Sequence, residues 1–260
     1  MIDLSGKTAL VTGAGRGIGK GCALALAHVG ANLIINDRPN SPDLAKTQQE
    51  IAVLGQDCKV IPSDVFSREG CEQLVNEAIG ISGGLDILVS NPAFSRRCNF
   101  LDYDPEVFEQ TLQGTLLSGF HMSQLVARHM VERNQGGKMV LISSVQGEMP
   151  IARCVAYGAA KAGLNHMTRS IAVELAQHKI NVNAIEPGWI DTPGEHASFS
   201  EETIQREGQR LPWGRLGTPL DIGQAAAFLC SEQADYITGS ILAVDGLFRY
   251  KDCQAEDSIQ

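Results

Sequence analysis

Ser144, Tyr157 and Lys161 are of types and spacings that could move a proton. They stand as Ser-x12-Tyr-x3-Lys within LISSVQGEMPIARCVAYGAAK. Tyr157 and Lys161 are four residues apart, so on a helix they share one face, a turn from each other. A phenol alone is a poor acid–base catalyst near neutral pH, because its reference pKa is about 10. A lysine ammonium beside it favours the phenolate and draws that pKa toward the working range. A hydroxyl from Ser144 would hydrogen-bond the same reacting oxygen and hold it for the transfer. Tyr-x3-Lys on a small-residue helix is common by itself, so its meaning depends on what surrounds it.

Upstream, residues 12–19 read Thr-Gly-Ala-Gly-Arg-Gly-Ile-Gly, directly after the apolar strand candidate KTALV. The following GKGCALALAHVG carries apolar residues at helical spacing. A strand, a glycine turn and a helix N-terminus form a cradle for a pyrophosphate, since backbone N–H groups point at it and the helix dipole favours its charge. With Ile18 in place, the glycines do not fit GxGxxG but fit TGxxxGxG, with Gly13, Gly17 and Gly19 in register. A second strand candidate, ANLIIN, ends at Asp37, 18 residues after Gly19. An acidic residue there would hydrogen-bond the ribose hydroxyls of a dinucleotide and repel a 2′-phosphate, which favours NAD over NADP. Arg16 and Arg38 are the counter-evidence, because a neighbouring guanidinium holds such a phosphate, so NADP is the alternative cofactor.

Together these residues resemble the short-chain dehydrogenase/reductase family in its single-domain form, from KTALVTG to ITGSILAVDG ending at Gly246. TGAGRGIG matches the family's cofactor motif, and Ser144, Tyr157 and Lys161 fall on its catalytic serine, tyrosine and lysine. Asp64-Val65 matches the acidic residue and its neighbour at the adenine. LVSNPA (88–93) matches the Asn-Asn-Ala-Gly strand end: Asn91 keeps the second Asn, while Ser90 replaces the first and Pro92-Ala93 replaces Ala-Gly. EPGWIDT (186–192) matches the Pro-Gly segment that holds the nicotinamide carboxamide, which implies cofactor contacts at Pro187, Gly188, Ile190 and Thr192. The resemblance also implies that Lys161 binds the nicotinamide ribose. Within the family the chain looks most like the glucose 1-dehydrogenase and 3-oxoacyl reductase branch.

One position departs from the pattern. Thr115 stands where the family usually has a fourth catalytic residue, an Asn thought to hold a water that connects the lysine to solvent, and Ser118 stands where Gly is common. Either the relay is weakened, or Thr115 and Ser118 hold the water in a rebuilt site.

Composition and organisation agree. The 260 residues are 43% hydrophobic and 20% charged, ordinary for a globular chain with a large buried sheet. A formal charge of −9 argues against nucleic acid as a partner, since phosphate binding needs clustered Lys and Arg. Seven Cys without a CxxC pair read as reduced thiols of a cytoplasmic protein with no metal site. MIDLSGK reads as neither signal peptide nor anchor, and no apolar run is long enough to span a bilayer.

Strand candidates TALVT, NLIIN, CKVIP, LDILVS, KMVLIS, INVNAI and ILAVD alternate with helical stretches, the pattern of a doubly wound parallel α/β sheet (Rossmann-type) of about seven strands. Asp104-Pro105 and Thr218-Pro219 with Asp221 mark helix starts. Residues 1–248 read as one domain, 249–260 as a polar tail, and 193–213 as an irregular segment, which the resemblance implies folds over substrate. Phe94, Gln146 and Trp189 are candidate substrate contacts, with His196, Phe199 and Trp213 as further ones. Arg96 and Arg97 read first as a solvated pair; if one turns inward, an anionic or carboxylated substrate follows. The small residues around Tyr157 suggest either a subunit interface, hence a homodimer or homotetramer, or plain packing against the sheet. The expected activity is an NAD-dependent oxidoreductase acting on a secondary alcohol or ketone, first a sugar or polyol. The alternatives are a 3-oxoacyl thioester or steroid-like alcohol, or an NAD-binding sensor with little turnover.

Overall fold

A computed structural model describes residues 1–253. Seven strands form one parallel sheet in the order β3-β2-β1-β4-β5-β6-β7: β1 Thr8–Val11, β2 Asn32–Ile35, β3 Cys58–Val60, β4 Ile87–Ser90, β5 Gly137–Ile142, β6 Ile180–Pro187 and β7 Ile241–Val244. All seven are strands expected from the sequence. Their apolar runs are continuous because both faces are covered, and the two-residue period sorts each run between two cores. Ala9, Val11, Leu33 and Ile35 face α1 (Gly17–His28) and α9 (Pro219–Leu229). Leu10, Ile34, Met139 and Leu141 face the opposite way, toward α3 (Arg68–Ser82), α5 (Ser118–Arg133) and α6 (Val155–Leu175). A one-residue slip of any strand would exchange its two core sets.

Helix starts are set locally. Asp104 caps α4 (Pro105–Leu112) by accepting from the Glu106 N–H, and Thr218 and Asp221 form a reciprocal capping box on α9. Glycines let α1 and α9 approach closely: a Cβ at Gly21 would strike the Pro219 backbone, and one at Gly223 the Gly21 carbonyl. β1 pairs with β2 on one side and with β4 on the other. Successive crossovers therefore leave in opposite directions, and the loops after β1 and β4 part to open a crevice at the carboxyl ends of the strands.

The segment 193–213 corrects the sequence expectation of irregular chain. It contains α7 (Pro193–His196) and α8 (Glu201–Gln209). Ser200 caps α8 by accepting from the Thr203 N–H, Glu201 and Glu202 fill its first turn, and Ile204 and Gly208 are its buried face. The expected polar tail begins in ordered structure, because Phe248–Tyr250 form a single 3₁₀ turn and Arg249 is ion-paired. Its residues from 254 on lie outside the described residues.

Candidate functional site

The crevice beside β1 is a cavity of about 780 Å³. Gly13 and Gly17 have φ of 62° and 56°, the left-handed region that favours glycine, and they turn the chain sharply into α1. A Cβ at Gly13 would come within 2.8 Å of the Asn91 amide, and one at Gly19 would strike the Gly13 carbonyl, so only glycine lets α1 begin so close to the strand ends. Asn91 ties the two loops together: its N–H donates to Thr12 Oγ1 (3.2 Å) and its Nδ2 to the Gly13 carbonyl (3.3 Å). Gly13, Arg16, Gly17 and Ile18 line the cavity on one side, and Asp64, Val65, Asn91, Ala93 and Phe94 on another. Thr192 closes it.

Asp37 also lines it, with Oδ1 accepting from the Arg38 N–H (2.8 Å) and Oδ2 from Ser41 Oγ (3.2 Å). Arg16 and Arg38 line the same cavity and form no ion pair among the described residues. Sequence reasoning missed Asn36. It is buried, its Nδ2 donates to the carbonyls of Asp37, Ile61 and Ser63, and its Oδ1 has no partner. An amide at the end of an otherwise apolar strand was the available signal. A glycine cradle that a Cβ would fill and an orphaned amide oxygen beside a carboxylate fit a dinucleotide.

A second cavity of about 780 Å³ follows the ends of β5 and β6. Ser144, Gln146, Gly188 and Trp189 line it, so the candidate catalytic serine and two candidate substrate contacts come together. Gln146 Oε1 is buried without a partner. Arg97 lines the cavity with its guanidinium 5.4 Å from the Phe199 ring centroid, while Phe199 packs edge-on against Trp189 and Trp189 Nε1 donates to Glu195 (2.8 Å). Several other predicted residues lie elsewhere. Gly19, Pro187, Tyr157 and Lys161 line neither cavity, Phe94, an expected substrate contact, lines only the first, and Ile190 buries its side chain in the core against Gly217. Trp213 packs on Gly246, and His196 pairs with Asp191 (2.6 Å) and Glu201 (3.2 Å).

Tyr157 and Lys161 share one face of α6, with Lys161 Nζ 5.4 Å from the tyrosine ring centroid and donating to the Ile142 carbonyl (2.7 Å). Small neighbours allow this depth: Ala156 and Ala160 are fully buried, and a Cβ at Gly163 would meet Leu116. Those small residues therefore pack at least in part within the chain. Burial dominates both titrations. It pushes the Tyr157 phenol up to about 12, against the lowering effect of a hydrogen bond with Ser144, and pulls Lys161 down to about 7. The phenol thus moves opposite to the sequence-based expectation, because desolvation also strips the lysine of the charge that would lower it.

Thr115 lies in a π-helical turn, Gln113–Leu117, ahead of α5. Its Oγ1 accepts from the Phe94 N–H (3.1 Å) and donates to the Phe94 carbonyl (3.0 Å), so one hydroxyl clips both groups of a residue at the cavity wall. Ser118 Oγ donates to the Gly114 carbonyl (2.8 Å). Thr115→Val should leave both Phe94 groups unpaired, costing roughly 1–3 kcal/mol of stability and lowering turnover. Thr115→Asn should stay near wild type in both, as read by thermal unfolding and steady-state rates. A rise in turnover for Thr115→Asn would instead mean that the relay is weakened.

The family model described as enoyl-(acyl carrier protein) reductase matches residues 13–247. A 2-dehydro-3-deoxy-D-gluconate 5-dehydrogenase of Escherichia coli K12 is 34% identical over 94% of this chain and 96% of its own. Two solved structures superpose closely. A short-chain type dehydrogenase/reductase from Mycobacterium marinum has TM-score 0.89 and 33% identity, covering 95% of this chain and 96% of that one. A 7α-hydroxysteroid dehydrogenase complexed with NADH and 7-oxo glycochenodeoxycholic acid has TM-score 0.88 and 36% identity, covering 94% of each. A full-length match of this kind, on a sheet whose crevice carries the glycine cradle and whose sixth helix carries Tyr157 and Lys161, settles the class: the chain belongs to the short-chain dehydrogenase/reductase family, nicotinamide-dependent oxidoreductases of alcohols and ketones.

Proposed function

We propose that this protein is an NAD-preferring dehydrogenase that oxidises a secondary alcohol of a small polyhydroxylated, carboxylated compound of the sugar-acid kind, or reduces the matching ketone. The observation that supports the reading is that Ser144 lines the second cavity and hydrogen-bonds Tyr157, which shares a helix face with Lys161. In this reading Gly13, Arg16, Gly17, Ile18 and Gly19 receive the pyrophosphate, Asp37 the adenosine ribose, and Asp64 and Val65 the adenine. Asn91, Ala93, Pro187, Gly188, Ile190 and Thr192 hold the nicotinamide end, Ile190 through its backbone. Bound NAD supplies the hydride acceptor and a positive charge that favours the phenolate. Tyr157 then takes the hydroxyl proton, Ser144 holds the oxygen, and Lys161 returns the proton toward solvent. A lysine with a pKa near 7 can accept and release a proton at working pH, as such a relay needs.

The substrate class rests on two side chains. Arg97 lines the cavity without an ion pair among the described residues, and guanidinium forks suit carboxylates. Gln146 Oε1, buried and unpartnered, suits a substrate hydroxyl. The gluconate derivative named for the E. coli relative has both groups. Thr115, whose hydroxyl is committed to Phe94, keeps an NAD-binding sensor with little turnover as the second reading.

Cofactor choice gives the test. Fluorescence titration should find NADH bound at least about tenfold more tightly than NADPH, since the Asp37 carboxylate repels a 2′-phosphate. Asp37→Ala should narrow or reverse that gap, leaving Arg16 and Arg38 to attract the phosphate. Equal affinities in the unmodified protein would remove the NAD assignment.

A further inference from the structure

Outside the reacting groups, Arg249, just past the last strand, makes more ion pairs than any other side chain among the described residues. Its guanidinium makes three ion pairs: Nη1 with Glu148 (2.9 Å), Nη2 with Glu186 (2.7 Å) and Nε with Asp245 (3.1 Å). The three carboxylates belong to three different segments. Glu148 ends the turn that starts at Ser144, Glu186 immediately precedes Pro187-Gly188 on β6, and Asp245 follows β7. Glu186 is only 1% exposed, and its other oxygen accepts from Asn165 Nδ2 (2.6 Å).

The packing around this cluster is tight on the side facing the substrate cavity. A Cβ at Gly147, in the Ser144 turn, would come within 3.1 Å of Glu186 Oε1. A Cβ at Gly188 would come within 2.8 Å of Asp245. The C-terminal segment reaches this place through Leu247, a non-glycine residue held at φ 65°, a conformation that persists only where its surroundings enforce it. Past that bend, Phe248, Lys251 and Asp252 line the substrate cavity, whereas Arg249 lines neither cavity.

We propose that Arg249 is a positioning residue for substrate: one guanidinium bolts the Ser144 turn, the Pro187-Gly188 corner and the C-terminal wall into a single rigid frame. It also offsets three carboxylates beside a cavity that, on the function proposed above, receives an anion. Loss of the tether loosens the 144–152 turn and weakens substrate binding, while the adenosine end of the dinucleotide crevice, built from β1 and β2, is left alone.

The test compares wild type with Glu148→Gln, Arg249→Lys and Arg249→Gln in the NADH-bound protein. Glu148 is half-exposed, so Glu148→Gln cuts the tether to the turn without stranding the buried Glu186. Hydrogen exchange of the 144–152 amides should rise several-fold in Glu148→Gln and further in Arg249→Gln, with partial rescue by Arg249→Lys and little change in β1–β2. NADH affinity should stay within about twofold in Glu148→Gln, which leaves the Arg249–Glu186 pair in place. With a sugar-acid alcohol that the protein turns over, KM should rise about threefold or more in Glu148→Gln while kcat holds. Unchanged exchange at 144–152 in both Glu148→Gln and Arg249→Gln would overturn the proposal. So would exchange that rises equally across the sheet, which would make Arg249 a stability element only. Absence of turnover with every alcohol would count against the proposed function, and the exchange comparison would still decide this proposal.

Discussion

Tyr157→Phe should lower turnover by a factor of roughly 10²–10⁴ while leaving NADH affinity nearly unchanged. The substitution removes one oxygen and keeps the ring, so the packing of α6 and the Lys161 side chain beside the ring are preserved. Only the group that exchanges a proton with the substrate is lost. The pH profile adds a second signature. Because burial holds the phenol up to about 12, alcohol oxidation by wild type should climb with pH as the phenolate fraction grows, and the residual activity of Tyr157→Phe should lack that climb. A variant that kept most of the activity would show that the proton leaves by another route.

Lys161→Met should also abolish turnover, yet it should make the protein more stable. Lys161 is 1% exposed and burial pulls its pKa from 10.5 to about 7, so the folded state binds the lysine proton less well than the unfolded chain does. For a lysine with a depressed folded pKa, stability rises with pH between about 7 and 10.5 and is fully penalised below that window. A methionine of similar length removes the penalty but leaves the Ile142 carbonyl without its donor. The net gain should be on the order of 1–3 kcal/mol near neutral pH and should turn into a loss toward pH 10–11, where only the missing hydrogen bond remains. Thermal unfolding at two pH values reads it directly. A stability loss at neutral pH would mean that the amine is solvated and charged in the folded protein. Activity lost together with stability gained is the expected mark of a side chain kept for chemistry rather than for folding.

The sheet and the glycine-lined crevice were legible in the sequence because their determinants are local. Seven apolar runs, a glycine turn between a strand and a helix, and an acid at the end of the next strand each lie within a few residues of what they position. The caps at Asp104 and Thr218 were legible for the same reason. What escaped was long-range. The phenol of Tyr157 was expected to fall because Lys161 is close in sequence, but its direction depends on how deeply α6 is buried. Arg249 looked like the first residue of a polar tail, and no local pattern connects it to Glu148, 101 positions away. The 193–213 segment was misjudged for a third reason: the Ser200 cap and the acidic first turn of α8 were overlooked between Pro193 and Trp213.

The central claim is that a hydride passes between a secondary alcohol and the nicotinamide at this site. The most direct measurement incubates the protein with NAD and a panel of secondary alcohols, sugar acids and neutral polyols among them, each deuterated at the carbinol carbon. The nicotinamide product is then examined by mass spectrometry. The account predicts that NADH forms from at least one sugar acid, that it carries the deuterium, and that Tyr157→Phe forms almost none. NADH without the label, or no NADH from any alcohol in the panel, would contradict it.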